Sequence, residues 1–590
     1  MTVLAGIDVG NSTTELLLAR VEEGRTTPVH AVRAGTVGEK GSEASLVGAA
    51  RLLRRVEQQS GLRCDAIAIA DLHPVRTLVA EFPRVAVAAA PLRTLTVAGS
   101  STPSGSGLAH GSHVPLRSLD GTPVARDVIA SVPRDVDFED ASRSIASALS
   151  RGWHIVGILV EADEAVLIGN RLSTALPIVD EAAVDQLVEG EMIALEVASP
   201  GESVAGLNDP MTLAAIFDLP PSSVQAVAPL ARGLSDSRAT AVTTSSPESH
   251  RQDRLDEGWI EFVRDGQTVR VSLAGSHYEV LRRLPPGAVR ALHPPLGSAL
   301  LAAVEGYEEL VRDLCISDLP GLRERSSVRR GSAHLDAAPV SIYIERSSAA
   351  HPETILRESA GRPVFVVSSE SQAARLGALT TPAAPPDATV CDIGGGTIDA
   401  VGERGAVVAA GAGELLTVSV AFALGLTRGL AEYVKRSPSV RVETPHLVHH
   451  EDGSRDFLDH PAPGAAVGSL CMRRRGVLLP FTDALSPEEW RALRLSIKAQ
   501  VIVGNVERCL NKLSEAPKVV LLCGGAAHDK ELVRIVGDWI GTRGATAGRT
   551  NVSARFGPRY AVALGLVLLL AERLSARTLG CSVADDAFRE

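Results

Sequence analysis

ATVCDIGGGTID, residues 388–399, is an apolar run that ends in an aspartate and three glycines. It reads as a strand entering a tight turn, and the bare amides of glycine can approach phosphate oxygens that a side chain would keep away. The N-terminus repeats the pattern: VLAGIDV (3–9) and TELLLAR (14–20) flank Gly10-Asn11-Ser12-Thr13. Two apolar runs around a small polar tip predict a β-hairpin. Two Asp-x-Gly turns, at Asp8 and at Asp392, therefore predict a duplicated phosphate-binding element facing a two-lobed cleft. In each, the aspartate suits a hydrated Mg²⁺, and the hydroxyls of Ser12, Thr13 and Thr397 add donors to the amides of Gly10, Gly394, Gly395 and Gly396.

Two more glycine turns extend the set. Val519–Leu522 runs into Cys523-Gly524-Gly525-Ala526-Ala527, a strand meeting a glycine pair before a helix, where adenosine could lie against bare backbone. Gly411-Ala412-Gly413-Glu414 is the fourth. A single glycine turn is usually only a turn, so the ordered set carries the reading.

Further out, a helix is expected over 43–59 and a buried strand over 65–71, before composition shifts at VAGSSTPSGSGLAHGSH (97–113). The polar tract Ser235 to Asp256 reads as an exposed linker. These signals divide the chain into a core of 1–92, 255–436 and 486–590, an inserted domain of 93–254, and a small insert of 437–485 rich in His, Pro and Gly. Ser486-Pro487-Glu488-Glu489 is a capping box with proline at the first helical position. Trp490, Leu493, Ile497 and Val501 keep helical spacing behind it, predicting one amphipathic helix to about Leu513.

The 590 residues exceed what one core supports, and 45% apolar with 3% aromatic content predicts Ala, Val and Leu helices packed on a buried, mostly parallel sheet. A net charge of −11 without a basic stripe argues against a nucleic-acid partner. The cysteines, 64, 315, 391, 471, 509, 523 and 581, form no CxxC pair and suit a reducing compartment. The N-terminus lacks a basic leader, and the longest apolar stretch, Tyr560 to Ala571, is shorter than the roughly 20 residues of a bilayer span. A soluble cytoplasmic chain with no membrane partner is expected; association with a bacterial microcompartment leaves no mark in the sequence. Neither a Walker A sequence nor a GxSxG elbow occurs.

DVGNSTTE, DIGGGTID, GAGE, LCGGAA and GPRYAVALG resemble the phosphate, connecting and adenosine motifs of the actin and heat-shock-chaperone ATPase superfamily. Beyond these, EKG (39–41), STPSGSG (101–107), NRLSTALPIVDE (170–181), GALTTP (377–382) and HHEDGS (449–454) resemble the large subunits of diol or glycerol dehydratase reactivases over nearly the whole chain. The resemblance implies an actin-like α/β ATPase core with an inserted swivelling domain, ATP or ADP and Mg²⁺ as cofactors, and hydrolysis with Asp8 and Asp392 at its centre. It further implies a small reactivase subunit, an α2β2 heterotetramer, and an adenosylcobalamin-dependent diol or glycerol dehydratase as client, from which damaged cobalamin is released. Within the swivelling domain it implies a divalent metal at Thr102, Asp163 and Asp180. Read alone, those three are a linker residue, a turn residue and a helix N-cap.

Departures from the family pattern, Gly395 and Ile398 in the second loop and Glu414 where an aspartate is expected, bear on nucleotide preference and rate. Lys498 lies where chaperone ATPases place basic residues against the ribose, although a lysine on a helix face is commonly solvated. His449, His450, Glu451 and Asp452 are adjacent in an exposed-looking segment, and neighbours on a chain rarely converge on one ion. Three other functions use such a cleft: a heat-shock-type chaperone, which would carry a peptide-binding β domain and lack the insertion; a sugar kinase; and a nucleotide-gated scaffold without turnover.

Overall fold

The computed structural model describes residues 2–80, 92–95, 102–199, 202–234, 237–244, 258–264, 266–273, 278–294, 298–325, 333–335, 337–345, 351–474, 476–513 and 516–578. Most of the 235–256 tract, the limits placed at 254 and 255, and Cys581 lie outside the described residues. The chain forms two compact units, 1–83 with 257–590, and 84–256.

The first unit is built on two five-stranded sheets of identical topology. One runs, in spatial order, Val364–Ser368, Ala66–Ala70, Thr2–Val9, Thr13–Glu22, Arg25–Gly35; the other Thr546–Arg549, Val519–Cys523, Thr389–Ile393, Thr397–Val401, Ala406–Ala410. In each, an antiparallel three-strand meander continues into two parallel strands beyond its first member. Strands covered on both faces read as unbroken apolar runs, as AIAIA and TVCDI do.

Helices Glu370–Ala378 and Ala561–Thr578 share one core with side chains of both sheets, among them Leu4, Leu17, Val390 and Leu521. The helices meet at bare backbone: a Cβ on Gly377 would collide with the Ala561 carbonyl, and one on Gly565 with that of Ala373. This duplicated α/β architecture is the two-fold repeat that the paired turns predict, in the form that the family resemblance implies.

The capping box forms, Ser486 accepting from the Glu489 amide and the Glu489 carboxylate accepting from the Ser486 amide, and opens the helix Pro487–Lys498. The expected single helix to Leu513 is interrupted by a π-turn at Ala499–Val503 before Gly504–Lys512. The small insert is an antiparallel sheet ordered Arg455–Phe457, Leu447–His450, Ser439–Thr444, Leu470–Arg474, Val477–Thr482. Two of these strands, Leu447–His450 and Arg455–Phe457, have only four and three residues, too few to display a period of two.

The second unit carries one seven-stranded sheet, ordered Ile178–Val179, Ile155–Val160, Val128–Val132, Gly107–Pro115, Met192–Val197, Ala239–Thr244, Leu92–Thr94. Its first four strands are parallel and the rest antiparallel.

Candidate functional site

The two Asp-x-Gly hairpins close with the same turn: the Gly10 amide donates to the Thr13 carbonyl at 2.9 Å, and the Gly394 amide to the Thr397 carbonyl at 3.0 Å. Their tips meet. A Cβ on Gly395 would lie 2.5 Å from Ser12 Oγ, and one on Gly396 would press on Val75 and Asn11, whose amide nitrogen donates to the Val75 carbonyl. Glycine is required here by proximity.

Register then sets two carboxylate pairs side by side, Asp8 opposite Glu15 and Asp392 opposite Asp399. Like charges across adjacent strands repel, and burial removes the water that would screen them. Burial first, then Glu370 and Glu15, raise Asp8 well above the ordinary carboxylate range; burial first, then Asp399 and Glu370, do the same to Asp392. Asp399 is pushed up to about 7 by burial and then by Glu370. Asp392 Oδ1 and Asp399 Oδ1 are buried without a hydrogen-bond partner.

Two cations answer these five carboxylates. Buried Lys40 pairs with Glu370 at 2.5 Å; burial opposes its charge, but Glu370 and Asp8 outweigh it and raise its pKa. Arg559 pairs with Glu15 at 2.8 Å. The remaining negative excess and open lone pairs suit a hard divalent cation with oxygen ligands. Among the described residues no three acidic, His or Cys side chains converge to chelate an ion directly. The site therefore fits an ion that keeps its waters, as Mg²⁺ commonly does.

Lys40, Glu15, Glu370, Asp399 and Arg559 were not singled out from sequence as site residues. Glu15, Lys40, Asp399 and Arg559 lie within the quoted motifs DVGNSTTE, EKG, DIGGGTID and GPRYAVALG, so a signal existed for them; Glu370 sits at a helix start with nothing local to mark it.

The connecting turn straps the second phosphate loop. The amides of Gly411, Gly413 and Glu414 donate to the carbonyls of Gly396, Gly394 and Gly395 at 2.8, 3.2 and 2.7 Å. Ala412 is buried behind them, and Asn505 and Asp313 hold Ala410 at its carbonyl and amide, each at 2.7 Å. Glu414, its carboxyl raised by burial, faces Arg428 at 3.4 Å. Lys435, a residue the sequence left unmarked, donates to the Gly413 carbonyl at 2.6 Å, and burial pushes its amine down to about 7.

The loop expected to face adenosine lies against the second hairpin: Gly524 has φ +87°, and a Cβ there would collide with Asp392 Oδ1. Lys498 is not solvated. It is fully buried, and its amine pairs with Asp529 at 2.6 Å and Glu531 at 2.8 Å. The HHED segment is exposed only in part: Asp452 is exposed, but Glu451 is buried and holds Arg494, while His449 lies between Glu443 and Glu488.

In the second unit, Thr102, Asp163 and Asp180 come together. The Thr102 hydroxyl contacts both carboxylates, at 3.0 Å for Asp180, and the Thr102 amide donates to Asp180 at 3.2 Å. Asp180 is fully buried, its carboxyl raised by burial and by nearby Asp163, and its Oδ1 has no partner. Two carboxylates and a hydroxyl with an open buried lone pair fit a divalent cation; local sequence suggested only a linker, a turn and a cap because the three meet through strand pairing.

Two family models match the chain, "Diol dehydratase reactivase ATPase-like domain" over 345–570 and "DD-reactivating factor swiveling domain" over 94–250. The diol dehydratase-reactivating factor large subunit of Klebsiella michiganensis is 30% identical, covering 96% of this chain and 98% of that one. The propanediol dehydratase-reactivating factor large subunit of Salmonella typhimurium is 30% identical over the same shares. Among solved structures, a diol dehydratase-reactivating factor in nucleotide-free form matches with a TM-score of 0.57 at 29% identity, over 97% of this chain and 100% of that one. A glycerol dehydratase reactivase matches with a TM-score of 0.56 at 26% identity, over the same shares.

Proposed function

Because this chain belongs to the family of diol dehydratase-reactivating factor large subunits, we propose that it uses ATP and Mg²⁺ to release damaged cobalamin from an inactivated adenosylcobalamin-dependent diol or glycerol dehydratase. The observation that carries the nucleotide half is the pair of facing hairpins, each with an aspartate at the base of a glycine turn, half-buried Asp8 in one and buried Asp392 in the other.

In this reading Asp8 and Asp392 hold Mg²⁺ through its waters, and the ion supplies charge neutralisation at the phosphates. Amides and hydroxyls of Asn11, Ser12, Thr13, Gly395, Gly396 and Thr397 receive the phosphates, Gly10 and Gly394 close the two turns that present them, and Gly411 to Glu414 hold the second loop in place. Gly524 and Gly525 face the adenosine. Lys40, kept charged by Glu370, stabilises negative charge developing at the transferred phosphoryl group. Asp399, poised near neutrality, accepts the proton of the attacking water as the bond to ADP breaks, with no covalent intermediate.

The chain works with a small subunit, as an α2β2 heterotetramer, in the cytoplasm or a microcompartment of it. Nucleotide state decides whether it holds that subunit or the dehydratase; differential affinity supplies the work. The swivelling unit, with a divalent ion at Thr102, Asp163 and Asp180, is the exchange surface. The swivelling-domain match favours this reading over a heat-shock-type chaperone. Among the described residues no single helix is long and apolar enough to cross a membrane.

The test is release of cyanocobalamin from inactivated diol dehydratase by this chain with its small subunit, ATP and Mg²⁺. ATP-dependent release that Asp8→Ala abolishes is the expected result. Hydrolysis without release would overturn the client assignment, and turnover stimulated by a sugar would favour a kinase.

A further inference from the structure

Arg559 lies in GPRYAVALG just ahead of the helix Ala561–Thr578 and is 7% exposed. Its guanidinium touches two segments far apart in the chain. Nη1 donates to Glu15 at 2.8 Å and to the Thr13 hydroxyl at 3.4 Å, both on the first hairpin. Nη2 donates to the Gly525 carbonyl at 3.4 Å. A Cβ on Gly525 would lie 3.0 Å from Nη1 and 3.3 Å from the central carbon, so the absence of a side chain at Gly525 is what admits the guanidinium. The Gly524 amide meanwhile donates to the Pro558 carbonyl at 2.9 Å, so the same short segment anchors the glycine pair through backbone as well.

A buried ion pair is directional and costly to break from one side, and a planar fork fixes two partners at once, which a point charge does not. We propose that Arg559 is a positioning residue for nucleotide: by bridging Glu15 and Thr13 of the first phosphate hairpin to Gly525, it sets the spacing between the segments that grip the phosphates and the adenosine. The inference rests on the nucleotide reading above and adds to it a residue that acts through the loops and touches no reacting atom. Glu15 has a matching role. Paired with Arg559 it orients the fork; alone it would be one more uncompensated carboxylate beside Asp8.

The consequence is a split between binding and turnover. Removing a positioning contact weakens the ground state and transition state alike, raising KM and leaving kcat nearly unchanged. The experiment measures ATP and ADP affinity by calorimetry, and kcat and KM of ATP hydrolysis, on the full chain as wild type, Arg559→Met, Arg559→Lys, Glu15→Gln and the Arg559→Met/Glu15→Gln double variant. Arg559→Met is expected to raise Kd and KM about tenfold or more, with kcat within about threefold. Arg559→Lys, which keeps the charge opposite Glu15 but loses the fork, should recover part of the loss. The double variant should bind no more weakly than Arg559→Met alone, because both changes break one link.

Unchanged KM in folded Arg559→Met overturns the proposal, as do a fall in kcat at constant KM and fully additive losses in the double variant. If Arg559→Met does not fold, an Arg559→Lys variant with wild-type KM overturns it equally. A wild-type chain that binds neither ATP nor ADP overturns the nucleotide reading itself, a result distinct from tight wild-type binding that the variants leave untouched.

Discussion

Two groups of buried charges lie within the first unit, and they are settled in opposite ways. Arg494, fully buried, grips both oxygens of Glu451 at 2.7 Å and both of Glu531 at 2.9 and 2.6 Å, while Lys498 takes Asp529 and Glu531. Burial alone would raise Glu531, yet Arg494 and Lys498 hold it down at about 2. In the cleft, Asp8, Glu15, Glu370, Asp392 and Asp399 share Lys40 and Arg559; burial raises the pKa values of Asp8, Glu15, Asp392 and Asp399, and two oxygens lack partners. The first group joins the insert sheet, the long helix and the helix Lys530–Thr542 into one body. The second keeps a negative excess and open lone pairs. Burial of charge is thus common to both groups; ample cationic partners lower Glu531 in one, and their shortage leaves carboxyls raised in the other.

The comparison breaks most visibly at Arg494. Arg494→Ala strands the buried carboxylate of Glu451 and leaves Glu531 with Lys498 alone, and should cost about 3–5 kcal/mol of stability, read from the denaturant midpoint, with Mg²⁺ giving no rescue. Rescue by Mg²⁺ would mean that this group too is a cation site. In the cleft, Asp392→Asn relieves repulsion, so stability should hold or rise while ATP turnover falls roughly a hundred- to a thousandfold. Lost stability with retained turnover would reverse the two assignments.

pH sharpens the contrast further. Asp399 binds its proton more tightly folded than unfolded, so between about pH 4 and pH 7 its contribution to stability falls as pH rises. Glu531 is the opposite case, contributing stability above about pH 4 that is lost as pH drops toward 2. Thermal denaturation of Asp399→Asn should therefore show a flatter slope over the upper window and an unchanged lower one. Mg²⁺ with ADP should raise the melting temperature by several degrees more at pH 8 than at pH 5.5.

The smallest expected effect is in the second unit. Asp163→Ala should remove any stabilisation of the chain by Mn²⁺ or Mg²⁺ that persists in Asp8→Ala, a change of roughly 1 kcal/mol, and weaken small-subunit binding. Intact complex formation would count against the exchange surface.

Much of this was legible in the chain itself. Asp-x-Gly turns after apolar strands marked both hairpins, and the capping box at Ser486 placed the long helix, because such signals act over a few residues where backbone geometry is local. Family motifs brought Thr102, Asp163 and Asp180 forward as a set, although no local pattern does. Hidden from sequence were the partners of each charge. Lys498 looked like a surface lysine and Glu451 like part of an exposed loop, yet helix packing buries both.

Sequence alone determined that the molecule has two glycine-backed aspartate turns and a long amphipathic helix, since hydrophobic period and turn chemistry are properties of contiguous residues. Tertiary structure alone decided that Asp8 faces Glu15 and Asp392 faces Asp399, that Lys40 answers Glu370, and that Arg559 reaches back to the first hairpin. Those pairings depend on strand register and on distances between segments hundreds of residues apart, and a buried charge takes its meaning from what lies within a few ångströms of it.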